Sequence, residues 1–192
     1  MTSMKKFFGT FLLAGVLFQP VTGLASTFAI DPDHSTVLFR IQHIAGYTAG
    51  TFSHITGSFQ LNDANNLLTG VASEIETVSV NTQQTQRDED LRGGDFFDAL
   101  KFPTAKFIAK KIENGKIDGE LTLKGITKPV TLAYKLGDIS KDSAGKTTIA
   151  LAAQGTVRCK DFGITSTRVL EKGKPLLGDE VEVGAQLTGI LQ

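Results

Sequence analysis

The chain has 192 residues, with 20 Lys+Arg against 20 Asp+Glu, one Cys, no Trp and 13 Phe. Balanced charge excludes the basic surface that would draw in nucleic acid or an anionic membrane, and one cysteine excludes an intrachain disulfide. The fold must hold by packing and hydrogen bonding, in one domain large enough for a sizeable core.

Residues 1–25 read as a secretory signal peptide. Lys5 and Lys6 form a basic start, and the apolar run over residues 7–18 is too short to span a bilayer. Gln19, Pro20 and Gly23 break that run, and Gly23 and Ala25 supply the small residues that a signal peptidase reads. Cleavage is expected after Ala25 or Ser26, leaving residues 26–192 as a single domain with 18 Lys+Arg against 20 Asp+Glu, a net charge of −2. No Cys lies near that boundary, which closes the lipoprotein route. No later segment approaches about 18 continuous apolar residues, so a soluble mature chain is expected.

Beyond the leader the pattern is mostly β. Val37, Phe39, Ile41 and His43 share one face of an early strand. Phe59 with Leu61, and Val71 with Ile75, mark the next two. Residues 83–100 interrupt the alternation and look helical: Asp88, Glu89 and Asp90 suit a first turn, Gly93-Gly94 would end it, and a second short turn covers residues 95–100. Strands resume over residues 107–112, then with Ile117, Leu121 and Leu123, and then with Val130, Leu132, Tyr134 and Leu136. Ile149, Leu151, Ala153, Val157 and Cys159 line one side of a long strand. Residues 160–178 form an irregular connection, and Val181, Val183, Ala185, Leu187 and Leu191 mark the last strand. Turn residues at Asn62-Asp63, Asn114-Gly115, Lys124-Gly125 and residues 142–145 join neighbours through short loops, which implies antiparallel hairpins. About eight strands with one apolar face each must close on themselves. The expectation is an all-β, closed antiparallel eight-stranded barrel with short helical caps, just wide enough for one small guest.

The densest feature is residues 87–107. Nine Phe remain beyond the leader, and Phe96, Phe97, Phe102 and Phe107 fall together in this charged, Gly-punctuated stretch. Such rings either plug one end of a barrel or wall a guest cavity, and a plug's inner face can do both. Leu100 in the same turn, and Phe39, Phe52, Phe59 and Phe162 elsewhere, are the further candidate ligand contacts. His43 shares the inward face of its strand, as a core histidine or a polar contact to a ligand head. Arg158 and Arg168 bracket the irregular connection with Asp161; they serve either as loop anchors or in recognising a head group.

Metal chemistry is not expected. His34, His43 and His54 are all the histidines, no pair stands at i, i+2, and a zinc site needs three or four close ligands. Nucleophilic catalysis is not expected either. Cys159 lies on an apolar face, no Gly-x-Ser-x-Gly elbow occurs, and Asp95 and Asp98 suit capping.

Four blocks, in order, carry a family resemblance. The first is His34-Ser35-Thr36-Val37-Leu38-Phe39 through His43 to Gly50-Thr51-Phe52. The second is Arg87-Asp88, Leu91-Arg92, Asp95-Phe96-Phe97-Asp98, Phe102-Pro103 and Phe107. The third runs from Gly119-Glu120-Leu121-Thr122-Leu123-Lys124-Gly125 to Pro129-Val130. The fourth is Arg158, Asp161-Phe162-Gly163-Ile164 and Gly178-Asp179-Glu180-Val181. Together they resemble the YceI family of exported, lipocalin-like barrels; one departure is Asp90, where that family usually carries His. The resemblance implies a periplasmic address and a hydrophobic interior that takes an isoprenoid lipid, a polyprenyl phosphate or an isoprenoid quinone, with no other cofactor. It implies non-covalent storage or transport of that lipid rather than catalysis, with transient membrane contact for loading; a homodimer stays open. The alternatives from other classes are an enzyme acting on a barrel-bound lipid and an accessory, stress-response scaffold whose barrel is filled.

Overall fold

The computed structural model describes residues 25–43, 46–164 and 177–192. Nearly all of the leader, and Arg168, lie outside the described residues. The strands are β1 (Ala25–Ile30), β2 (Thr36–His43), β3 (Gly46–Phe52), β4 (Ile55–Asn62), β5 (Leu68–Glu76), β6 (Val80–Asn81), β7 (Thr104–Glu113), β8 (Lys116–Leu123), β9 (Ile126–Leu136), β10 (Ser140–Lys141), β11 (Thr147–Arg158) and β12 (Leu177–Leu191). One helix, α1 (Thr85–Arg92), stands between β6 and β7.

All pairings are antiparallel, and β11 pairs with both β9 and β12, which closes the sheet into an eight-stranded barrel. The closed ring runs β11, β9, β8, β7, β5, β4, β1 and β12. β1 and β2 lie end to end along the same edge of β12, through Ile30↔Gly189 and Val37↔Ala185. β3 and β4 follow them in the same manner against β2 and β1. The chain is thus an up-and-down meander of eight lanes, four of them in two pieces: β1 with β2, β4 with β3, β5 with β6, and β9 with β10.

Two of these pieces escape the alternation. β1 abuts the leader and opens on three small residues, Ala25, Ser26 and Thr27, before Phe28 and Ile30 turn inward. β3 reads Gly-Tyr-Thr-Ala-Gly-Thr-Phe, with glycine at both Gly46 and Gly50, and it becomes a strand because β2 supplies a complete register for it. The tight turns are as expected. Lys124 and Gly125 both have positive φ, +50° and +75°, as a two-residue hairpin between β8 and β9 requires.

The helix expected within residues 83–100 is found, ending at Gly93-Gly94 with turns after it, and only its first turn differs from expectation. Only Thr85–Arg92 is helical, the chain leaves the helix at Gly93, and residues 95–101 are successive turns. Asp88 alone of the three acids lies in the first turn.

The two ends of the barrel differ. The floor end carries the β4–β5, β7–β8 and β9–β11 connections, and the mouth end carries α1, the 93–103 loop, the β8–β9 turn and the tail of β11. Toward the floor the interior is solid: Phe28, Ile30, Phe59, Leu61, Leu68 and Ile149 are buried in one cluster. Phe28 and Phe59 stack with centroids 5.7 Å apart, and a side chain on Gly189 would collide with the Phe59 ring. Glycine is required there because the ring occupies the space a Cβ would take.

Candidate functional site

Toward the mouth the interior is hollow. A cavity of about 350 Å³ lies there, within the range of small-molecule sites. Its floor is Phe107, Ile117, Leu151 and Leu187, which belong at once to the cavity lining and to the solid core. Its walls are inward residues of β2, β5, β8, β9, β11 and β12, and its roof is Leu91, Phe96 and Phe97 from the cap. A filled barrel would have shown no such space.

The charged residues of the 87–107 block mount this roof. The buried Asp88 carboxylate accepts from Thr82 N at 2.8 Å and Thr82 Oγ1 at 2.6 Å. Arg87 donates to Thr82 Oγ1 and to the Thr82 carbonyl, at 2.7 and 2.9 Å. Arg92 donates to the Val78 and Val80 carbonyls, both at 2.9 Å. The fully buried Thr77 hydroxyl bonds the Phe102 and Pro103 carbonyls. Hydrogen bonds to charged groups contribute roughly 1.5–3 kcal/mol each, so a helix of only eight residues is held without a large apolar face of its own.

Aromatic contacts then join roof to wall. Phe39 and Phe52 have centroids 5.6 Å apart, and Phe97 meets Phe52 edge-on at 5.4 Å. Of the predicted contacts, Phe39, Phe52, Phe96, Phe97, Phe107 and Phe162 line the cavity. This answers the plug-or-wall question for the 87–107 block: Phe96, Phe97 and Phe107 face the space, and Phe102 does not.

The other predicted contacts lie elsewhere. Phe102 packs outside, on Gly125, with the Lys101 ammonium 5.2 Å from its ring. Leu100 is fully exposed, because the turn that tucks Ala99 inward throws the next residue out. Phe59 belongs to the solid core rather than the cavity. His43 ends β2 opposite Gly46, half-buried and off the cavity lining. Arg158 is paired with Asp161 at 3.1 Å in a largely exposed position, as a loop anchor. Among the described residues no three of His, Cys, Asp and Glu gather as a metal-binding group.

The polar rim was missed in the residues. Lys160 and Asp179 line the mouth; the Asp179 carboxylate accepts from Lys160 N at 3.1 Å and lies 3.6 Å from its ammonium. A signal for Asp179 existed. It has the same parity as Val181, Val183 and Ala185, so it continues the inward face of β12 by one more step.

Cys159 also lines the cavity. Burial, and then the Asp179 carboxylate, push its thiol up to about 11. At pH 8 only about one thiol in a thousand is ionised. Maleimide labelling is therefore expected to be slow at pH 8, to rise about tenfold per pH unit toward 11, and to slow further when the cavity is loaded. A rate at pH 8 equal to that of a free thiol would contradict this placement.

A family model described as the YceI-like domain matches residues 28–189. Protein YceI of Salmonella newport is 38% identical over 170 residues, covering 85% of this chain and 89% of that protein. The crystal structure of a Campylobacter jejuni YCEI protein superposes with a TM-score of 0.64 at 27% identity, over 76% of this chain and 85% of that one. A polyisoprenoid binding domain from Saccharophagus degradans, 14% identical, shares the fold with a TM-score of 0.64 over 86% of this chain and 98% of that one.

Proposed function

Because the chain belongs to the YceI-like domain family, we propose that it binds a long-chain isoprenoid lipid in the hollow half of its barrel and stores or carries it in the periplasm, after export by the leader at residues 1–25. The observation that carries this reading is the apolar cavity of about 350 Å³, open at the mouth and roofed by Phe96 and Phe97. The polyisoprenoid binding named for the Saccharophagus domain supports it.

Burying a tail from water gains about 0.8 kcal/mol per CH₂. The tail's normal reservoir, a bilayer, is already apolar, so transfer from membrane to barrel is close to neutral. Small polar contacts at the mouth then decide loading, which suits reversible carriage.

Among the described residues the rim favours an uncharged head. Lys160 is the one ammonium lining the cavity among the described residues, and Asp179 already neutralises it. A desolvated phosphate needs a cation with charge to spare. An isoprenoid quinone, needing one hydrogen-bond donor, fits this rim better than a prenyl phosphate. Asp179→Asn is expected to raise the preference for prenyl phosphate over quinone about tenfold in competitive extraction from vesicles; an unchanged ratio would place the head group elsewhere. The function itself is tested by native mass spectrometry on protein from its own host. A bound prenyl lipid is expected, and an empty barrel with no uptake from vesicles would sink the reading.

A further inference from the structure

Leu100 stands out at 101% relative exposure, in a loop that is not loose. Lys101 N and Phe102 N both donate to the Asp98 carbonyl, at 3.0 and 2.8 Å, and Ala99 N donates to the Arg92 carbonyl at 2.9 Å. Phe102 is seated on Gly125. A firmly held turn thus presents a bare leucine to water. Two more exposed aliphatics frame it. Val78, 53% exposed, follows Thr77, whose hydroxyl holds the Phe102 and Pro103 carbonyls; Ile126, 38% exposed, follows Gly125 under the Phe102 ring. The same loop carries Phe96 and Phe97 on the roof of the cavity, so the exposed leucine stands beside the mouth.

We propose that this rim is a bilayer-docking surface, with Leu100 inserted among phospholipid chains while the mouth faces the membrane. The proposal rests on the carrier reading and adds where the exchange of cargo takes place. A lone side chain projecting from a convex turn offers a protein partner no pocket, and a partner would need one shaped to receive it. A fluid bilayer closes around it without prior shape. Among the described residues the charges on and beside this rim, Lys101, Lys124, Lys128, Arg158 and Lys160 against Asp95, Asp98, Asp161 and Asp179, nearly balance. Apolar insertion rather than long-range attraction therefore dominates.

The test is co-sedimentation of the full mature chain with phosphatidylcholine vesicles, with and without phosphatidylglycerol. The wild type is expected to bind both, with little loss in salt. Leu100→Asp is expected to weaken binding at least tenfold. Leu67→Asp at the floor end, where a 58% exposed leucine sits over solid core, should bind as wild type. No wild-type binding, equal binding by Leu100→Asp, an equal loss in Leu67→Asp, or binding abolished by salt would each overturn the proposal. Without vesicles, farnesol uptake should be the same in all three proteins. No farnesol uptake in any of them, with vesicle docking intact, would count against the carrier reading and not against the docking surface.

Discussion

Replacing Ala153 with phenylalanine is expected to abolish lipid loading while leaving the barrel folded. Ala153 on β11 faces Ala185 on β12 in register, and both line the cavity. These small residues leave the room on that wall. A phenyl ring directed into a cavity of about 350 Å³ takes much of the volume that a tail would need. Overpacking a filled core costs about 1–3 kcal/mol, but here the added ring enters open space and finds apolar neighbours. Loading from vesicles should fall by roughly a hundredfold, equivalent to losing burial of three or four CH₂ groups at about 0.8 kcal/mol each, while the denaturation midpoint moves little. Undiminished loading would mean that the tail does not lie in this space.

The opposite separation is expected from Phe59→Ala. Phe59 is 0% exposed, stacked on Phe28 and seated on Gly189, and it does not line the cavity. Truncating a buried Phe costs about 3–5 kcal/mol, the lost transfer energy plus the void left behind. For a domain of this size the melting temperature should drop by roughly 6–20 °C. Affinity for a short prenyl alcohol, measured well below the melting transition, should change far less than in Ala153→Phe. A stable Phe59→Ala variant, or one that loses lipid as completely as Ala153→Phe, would show that the floor is not the solid plug described.

The two variants act on residues that look alike along the chain. Phe39, Phe59 and Phe107 are all inward rings on strands, and alternation gives each the same reading. What separates them is height in the barrel and the neighbour across the strand. Phe59 lies level with Phe28 and Leu61, where the lanes converge on other large side chains and the ring fills space. Phe39 stands opposite Gly50 and Val183, its ring seated on Gly50 as the Phe59 ring is on Gly189, but it lies toward the mouth and borders the cavity, which Phe59 does not. The 87–107 block divides in the same manner. Its rings were visible in the residues, but the turns after Gly93 send Phe96 and Phe97 inward and Phe102 and Leu100 outward, and no periodicity encodes those turns.

The meander, its hairpins, the inward face of the longer strands and the position of a cap were therefore readable from residue order, because alternation, turn chemistry and a helix stop are local properties. The division into a solid floor and a hollow mouth was not, nor was the pairing of Lys160 with Asp179 or the exposure of Leu100. Each of these depends on which side chains meet across the closed register, and residues far apart in the chain are brought to one height only when β11 and β12 pair and complete the ring.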